Sequence, residues 1–260
     1  AVNVLAGAVG AEVVVVDVGM AGDVAVDEGS AARLLRRRVR PGTADLATGP
    51  AMTAAEAVQA LDAGADVAAG LVAQGARCLV TGDMGIANTT PAAALVASFT
   101  DRPAASVTGR GTGIDDQALV RKTALVAAAA ARARYLHRGD AMALLAEVGG
   151  LEHAALAGFI VAGAALQVPV VVDGVNAGAA LVVASRLAPG VERCVVAGHR
   201  SSEPGAAAVL DELGLEPLID LGLHLGEGTG ALLALPLVES AARIVHEMAT
   251  FDEAGVTDKS

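Results

Sequence analysis

The chain has 260 residues, which is enough for one domain with a substantial core. Hydrophobic residues make up 54 % of it and aromatic residues 2 %, so the core must be built from Ala, Val, Leu and Ile. The net charge of −11 argues against nucleic acid as a partner, because phosphate-backbone binding needs a clustered basic face. We interpret the arginine-rich run from Arg36 to Arg40 as a solvated surface segment.

The cysteines and histidines give no sign of a disulfide or a metal site. Cys78 and Cys194 lie in apolar runs, which favours reduced thiols. The five histidines are scattered without a His-x-x-x-His pair, so neither a metal nor another cofactor is expected.

One stretch, Ala154–Val172, is nearly free of charge and about long enough to cross a membrane. Gln167 and Pro169 divide it, so we predict a buried helix that leads into a strand. We predict no signal peptide, because the N-terminus lacks a basic region followed by a cleavage site. We therefore expect no membrane association and a cytoplasmic protein.

The first quarter of the chain predicts helix and strand in alternation. Thr53 and Glu56 have the spacing of a capping box, which predicts a helix from there to about Gln74. The segments before it are a helix at Val2–Val9, a strand at Glu12–Val18 and a long irregular connection at Gly22–Pro50.

A glycine-rich turn follows the next strand, Cys78–Val80, and leads into a helix. The turn begins at Gly82 and contains Asp83, and Thr90 is expected to cap a helix that Pro91 opens. Free backbone N–H groups at the carboxyl end of such a strand are where open α/β sheets hold phosphates. An ordinary βα connection would have the same pattern, and the residues alone leave both interpretations open.

A second glycine-rich segment, Ser106–Gly113, is predicted to be a strand and turn. Its spacing fails the Gly-x-Gly-x-x-Gly pattern, which disfavours a dinucleotide site. The remaining helices are expected from Asp115, from Asp140, at Leu151–Leu166, Ala177–Leu187, Pro204–Leu213 and Ala231–Met248, and the remaining strands at Val168–Val172, Cys194–Ala197 and Leu218–Leu221.

About six strands alternating with helices predict parallel βαβ units. The fold class is therefore α/β, with three α/β/α layers and a mostly parallel, Rossmann-like sheet. One domain is expected to span residues 1–260.

Two polar segments of the second half are candidates for a site. His199 and Arg200 follow a strand, on the side where ligands bind, although polar residues in a surface loop would look the same. Ser201 or Ser202 is expected to cap the next helix. Glu227 stands between two glycines, just before an apolar helix, where packing does not explain a carboxylate.

An ordered set of motifs resembles the nicotinate-nucleotide–dimethylbenzimidazole phosphoribosyltransferase family of cobalamin biosynthesis. The motifs cover nearly the whole chain in the family's order: Val16-Asp-Val-Gly19, Gly49-Pro-Ala-Met52, Gly82-Asp-Met-Gly-Ile-Ala-Asn-Thr-Thr-Pro-Ala-Ala93, Gly111-Thr-Gly-Ile-Asp115, Val148-Gly-Gly150, Pro169-Val-Val-Val-Asp-Gly174, His199-Arg-Ser-Ser-Glu203 and Leu225-Gly-Glu-Gly-Thr-Gly230.

The resemblance implies that nicotinate mononucleotide gives its phosphoribosyl group to dimethylbenzimidazole, with inversion at C1′. It implies small-molecule substrates, no cofactor and a homodimer. It makes Glu227 the general base and Asp83 a second catalytic acid of open role. The implied substrate-binding residues are Gly85, Ile86, Ala87, Asn88, Thr89, Thr90, Asp173, Gly174, His199, Ser201, Ser202, Gly226 and Gly228.

Compared with the family, the chain lacks roughly the N-terminal quarter, which carries part of the benzimidazole pocket. A non-catalytic nucleotide-binding paralogue is therefore the alternative to an enzyme. A Rossmann-like dehydrogenase is disfavoured by the missing dinucleotide fingerprint.

Overall fold

The computed structural model describes residues 1–22 and 33–255. These residues form ten α-helices, one short 3-10 helix (Val191–Cys194) and five strands. The helices are α1 (Val2–Val9), α2 (Ala54–Ala73), α3 (Thr89–Thr100), α4 (Ala104–Val107), α5 (Asp116–His137), α6 (Ala141–Val148), α7 (Leu151–Ala165), α8 (Val175–Leu187), α9 (Pro204–Leu213) and α10 (Thr229–Glu247), and the strands are β1 (Val14–Asp17), β2 (Arg33–Arg36), β3 (Leu79–Val80), β4 (Val170–Val172) and β5 (Val195–Ala197).

The strands confirm the predicted α/β class and parallel pairing, but they form two small sheets. β1 pairs with β2, and a separate sheet has the order β3-β4-β5. β4 is buried along its whole length, as its continuous valine run indicates. The three-stranded sheet therefore has a covered centre, and its carboxyl edge holds the residues described below.

Three predicted segments differ from the structure. The expected irregular connection at Gly22–Pro50 contains β2, and its residues 23–32 lie outside the described part. Ser106 belongs to helix α4, because Pro103 begins a helical turn there and not a strand. Around Leu218–Leu221 only one bridge forms, between His199 and Ile219.

The sequence-based predictions of helix starts are confirmed at three helices and are wrong at two. The capping box of Thr53 and Glu56 is present, and Asp115 and Asp140 each accept a hydrogen bond at the start of a helix. By contrast, α3 starts one residue before Thr90, and its N-cap residue Asn88 makes no side-chain cap. Pro91 then lies in the first turn, where its missing N–H has no intrahelical partner to lose.

The predicted serine cap of α9 is also wrong. Glu203 is the N-cap residue, with Pro204 at the first helical position. Ser201 instead accepts a hydrogen bond from the backbone N–H of Glu203 at 3.3 Å.

The largest interhelical contact joins α2 and α7. A Cβ atom on Gly64 would lie 1.7 Å from the carbonyl oxygen of Ala155, and one on Gly158 would lie 1.9 Å from that of Leu61. Because these glycines lack side chains, the two backbones touch. This packing explains how a core poor in large side chains becomes dense.

A buried ion cluster holds the segment before α2 and is called the Glu147 cluster below. It consists of Arg132, His137 and Glu147, with the Arg132 Nε 2.6 Å and the His137 Nε2 3.1 Å from the Glu147 carboxylate. The Arg132 guanidinium also donates to the carbonyl oxygens of Leu46 and Gly49. Burial opposes ionisation of Glu147, but Arg132 and His137 outweigh it and lower its pKa.

The apolar stretch at Ala154–Val172 divides as predicted, with α7 ending at Ala165, Gln167 in a left-handed conformation and β4 starting at Val170. Among the described residues, no helix combines the length and apolar character that a bilayer span requires. Cys78 and Cys194 are free and half-buried. The same part of the chain has no group of three His, Cys, Asp or Glu side chains placed to hold a metal ion.

Candidate active site

The carboxyl ends of β3, β4 and β5 bring the candidate residues to one edge of the sheet. Asp83 follows β3, Asp173 follows β4 directly, and His199 lies two residues after β5. A turn at Gly226–Gly228 returns from later in the chain and lies against the same edge. Such an edge is where parallel α/β sheets bind ligands.

Asp83 is a half-buried acid with a neutral hydrogen-bond donor. The Asn88 Nδ2 donates to its carboxylate at 2.6 Å. Burial raises the pKa of Asp83, the nearby charge of Glu152 raises it further, and His153 and Asn88 oppose the rise only in part. The sequence analysis had not connected Glu152 or His153 with this site.

The Gly85–Asn88 part of the turn leads directly into α3. Gly85, Ile86 and Ala87 are exposed, and Ala87 has a positive φ of 63°. Among the described residues, the N–H groups of residues 86–89 find no acceptor, so they are available to a ligand, whereas the Thr90 N–H donates to the Ala87 carbonyl at 3.2 Å and Pro91 has no N–H. A helix start of this kind attracts anions.

A lysine that the sequence analysis missed lies at the same helix start. The Lys122 Nζ donates to the Thr89 Oγ1 at 2.8 Å and to the Gly109 carbonyl at 2.9 Å. Burial lowers the pKa of Lys122, and the charge of Glu203 opposes that shift. The sequence offered one signal for it, because this arginine-rich chain has only two lysines, Lys122 and Lys259.

Glu227 lies in a turn with an unusual backbone. Gly226, Glu227 and Gly228 have φ values of 79°, 62° and 86°, so three successive residues are left-handed. Non-glycine residues enter this region at a cost, and runs of it are rare. The Glu227 N–H donates to the Asp83 carbonyl at 3.3 Å, so the two candidate acids stand on touching backbone segments.

Only a glycine at position 82 permits this contact. A Cβ atom there would lie 2.7 Å from the Glu227 carbonyl oxygen. The Glu227 carboxylate accepts hydrogen bonds from the Val2 N–H at 3.1 Å and the Ala1 nitrogen at 3.2 Å. The hydrogen bond from the Val2 N–H lowers the pKa of Glu227. The carboxylate is therefore ionised at neutral pH, as a general base must be.

Asp173 has both of its carboxylate oxygens hydrogen-bonded to backbone. Its Oδ2 accepts from the Gly228 N–H at 3.1 Å, and its Oδ1 accepts from the N–H groups of Gly230 at 2.9 Å and Ala231 at 3.1 Å. Burial opposes ionisation of Asp173, but His199 and then Ala231 outweigh it and lower the pKa.

His199 and Ser201 lie beside Asp173 and are buried, whereas Ser202 is exposed. The His199 Nε2 is 3.4 Å from the Asp173 Oδ1. A Cβ atom on Gly174 would lie 3.6 Å from the His199 Nε2 and from the Ser201 Oγ. The structure thus places these predicted residues around one point, with Gly85–Thr90 at the outer side of the same edge.

Three exposed apolar side chains lie near the two acids along the chain. Met84 and Ile86 flank the Asp83 turn, Leu225 precedes the Glu227 turn, and all three are exposed. The edge therefore combines two carboxylates, an anion-attracting helix start with a lysine, and an apolar rim. That combination suits an anionic sugar phosphate and a flat apolar base.

Comparisons with known proteins show which proteins the chain is similar to. A family model described as phosphoribosyltransferase matches residues 1–256. The chain is 52 % identical to a nicotinate-nucleotide–dimethylbenzimidazole phosphoribosyltransferase from Salinispora tropica, over 99 % of this chain and 73 % of the relative. It is 50 % identical to the enzyme of that name from Chloroflexus aggregans, over 100 % of this chain and 72 % of the relative.

A solved structure is also similar. The crystal structure of CobT from Thermus thermophilus superposes with a TM-score of 0.91 at 49 % identity, covering 99 % of this chain and 75 % of the other.

Proposed function

Because the chain belongs to the nicotinate-nucleotide–dimethylbenzimidazole phosphoribosyltransferase family, we propose that it transfers the phosphoribosyl group of nicotinate mononucleotide to 5,6-dimethylbenzimidazole. The products are α-ribazole 5′-phosphate and nicotinate, and the reaction serves the lower ligand of cobalamin. The observation that carries the proposal is the contact between the Asp83 and Glu227 turns beside the start of α3.

The phosphate of nicotinate mononucleotide binds at the start of α3. The N–H groups of residues 86–89 and the Lys122 ammonium supply donors and positive charge. Because the Lys122 Nζ donates a hydrogen bond to the Thr89 Oγ1, the ammonium group is positioned at the helix start without a ligand. Backbone N–H groups and one cation suffice for this anion, although the chain as a whole is acidic.

The chemical step needs a base more than an acid. The glycosidic nitrogen of nicotinate mononucleotide is cationic, so nicotinate leaves with the bonding electron pair and without protonation. One nitrogen of dimethylbenzimidazole forms the new bond to C1′ from the opposite face. The proton on its other nitrogen passes to the Glu227 carboxylate, whose lowered pKa keeps it ready to accept.

The acceptor base lies against the apolar rim of Met84, Ile86 and Leu225. These side chains are exposed in the structure, and a flat aromatic ring would cover them. Binding there places the acceptor next to both Asp83 and Glu227. Orientation of this kind is a large part of what an enzyme supplies in such a reaction.

The experiment that tests the function is a titration with nicotinate mononucleotide, followed by dimethylbenzimidazole and an assay for released nicotinate. Binding and release together support the enzyme. Binding without release would instead support a nucleotide-binding paralogue, and no binding would reject the phosphate site at α3. A phosphate-free analogue, nicotinate riboside, is the matched control and should bind much more weakly.

A homodimer in the cytoplasm completes the proposal. The exposed apolar side chains of α10, Leu237, Ile244 and Val245, support an interface. Light scattering coupled to gel filtration measures the mass, and a monomer at micromolar concentration would contradict the dimer.

A further inference from the structure

Asp173 and His199 have no part in the chemical step above, although the resemblance to the family implies that both bind substrate. Asp173 exposes only 4 % of its side chain, and His199 only 2 %. Asp173 accepts hydrogen bonds from three backbone amides, and the His199 imidazole is buried beside it. An ordinary surface turn forms without either feature. Their arrangement therefore indicates that they stabilise the turn that carries Glu227.

The backbone of the Gly226–Gly228 turn would move to a more favourable conformation if no other group held it. Three successive left-handed residues are unfavourable, and Glu227 has a Cβ atom that makes the conformation costlier than for its glycine neighbours. Strained residues persist only where the surroundings hold them. The Glu227 side chain points from the middle of this strained segment.

Asp173 supplies that support. Its three hydrogen bonds bind Gly228, directly after Glu227, together with Gly230 and Ala231 in the first turn of α10. A carboxylate at a helix start is also favoured by the helix dipole. One side chain therefore joins the last left-handed residue to the rigid helix behind it.

His199 fixes Asp173 from the other side. Its ring packs against Gly230 so closely that a Cβ atom there would lie 2.0 Å from the His199 Cδ2. The His199 Nε2 lies 3.4 Å from the Asp173 Oδ1, and within the described chain neither ring nitrogen meets the geometry of a hydrogen bond. The imidazole thus packs against the Asp173 carboxylate and limits its rotation.

We propose that Asp173 and His199 are a positioning pair that holds the strained Gly226–Gly228 turn, and with it Glu227, in the place from which it takes the acceptor's proton. The inference rests on the proposed function for the role of Glu227. It assigns Asp173 a task on the backbone, which differs from contact with the substrate.

The test compares Asp173→Asn and Glu227→Gln, alone and together. An asparagine at 173 keeps one oxygen, but its NH₂ group would face the Gly228 N–H, so the turn loosens. We expect kcat for nicotinate release to fall about 10²-fold, the usual cost of a displaced catalytic group, with KM for nicotinate mononucleotide nearly unchanged. In the Glu227→Gln background the same substitution should cost nothing further, because a positioning residue acts only through the group it positions.

A second readout does not depend on activity. Hydrogen exchange at the amides of Gly228, Gly230 and Ala231 should accelerate in Asp173→Asn, and it should stay unchanged in Asp140→Asn, which makes the same change at the start of α6. His199→Asn keeps the carboxylate and should give a weaker form of both effects. It also keeps the test decisive if Asp173→Asn does not fold.

The outcomes separate the two proposals. Unchanged exchange at the three amides, a raised KM with unchanged kcat, or additive losses in the double variant would each overturn the positioning pair. A wild-type chain that binds nicotinate mononucleotide but releases no nicotinate would instead reject the proposed function. In that case the exchange data still decide whether Asp173 and His199 hold the turn.

Discussion

The Glu147 cluster and the Asp83 turn stabilise their carboxylates in opposite ways. Glu147 has an arginine and a histidine at its two oxygens, and its pKa is lowered. Asp83 has the neutral amide of Asn88, and its pKa is raised. The Glu147 carboxylate is thus paired with cations that stabilise its ionised form, whereas the Asp83 carboxylate at the ligand-binding edge has a neutral donor and is more easily protonated.

Glu227→Gln gives the largest expected effect on the reactive side of this comparison. Removing a general base costs about 10²–10⁴ in turnover, so kcat for nicotinate release should fall by that factor. Binding of nicotinate mononucleotide should persist, because the amide keeps the shape of the side chain. Wild-type turnover in this variant would remove Glu227 from the mechanism.

Arg132→Met tests the structural side. It leaves Glu147 buried without its main cation, which costs about 3–5 kcal/mol in the free energy of unfolding at neutral pH. Because the pKa of Glu147 is lowered in the folded protein, this stabilisation is present above the unfolded pKa and is lost as the pH falls through the folded one. Thermal melts should therefore show a large deficit at pH 7 that shrinks in acid. A deficit independent of pH would contradict the assignment.

Lys122→Met separates binding from chemistry at the edge. Hydrogen bonds to charged groups contribute about 1.5–3 kcal/mol, so the dissociation constant for nicotinate mononucleotide should rise about 10–100-fold. Calorimetric titration measures it, and Lys122→Arg is the matched control that keeps the charge. An equal loss of affinity for nicotinate riboside would show that Lys122 does not act on the phosphate.

Asp83→Asn has the smallest expected effect. Unlike Arg132→Met, it should increase the free energy of unfolding. Because burial raises the pKa of Asp83, its ionised form opposes folding above the unfolded pKa, and an asparagine removes that cost while still accepting from Asn88. The free energy of unfolding at pH 7 should rise by about 0.5–2 kcal/mol, the usual gain of a stabilising substitution. Melts of the two proteins should converge at acid pH, and a loss of stability at pH 7 would contradict this interpretation.

The sequence predicted those features that depend on neighbours along the chain. The capping box at Thr53, the helix starts at Asp115 and Asp140, and the division of Ala154–Val172 all follow from local spacing, and all were confirmed. The expected cap at Thr90 was wrong, because the N-cap residue is Asn88 and the helix begins two residues before the predicted start at Pro91. Local patterns fix the type of an element better than its first residue.

Contacts between segments that are distant along the chain could not be predicted from the sequence. Lys122 meets Thr89 across 33 positions, and Asp173 meets Gly228 across 55. No periodicity or spacing encodes such pairs, because only the folded sheet edge brings them together. The resemblance to a family indicated which residues belong to the site, and the contacts between them required the structure.

The touching backbones of α2 and α7 have a consequence for the genetics of this protein. Gly64 and Gly158 have no room even for a methyl group, so any missense change at either codon should produce an unstable or temperature-sensitive product. In a saturation screen for growth that depends on this chain, both positions would score as intolerant as Glu227. A protein-abundance measurement would tell the two kinds of allele apart, because the glycine alleles would disappear from the cell and the Glu227 alleles would accumulate normally.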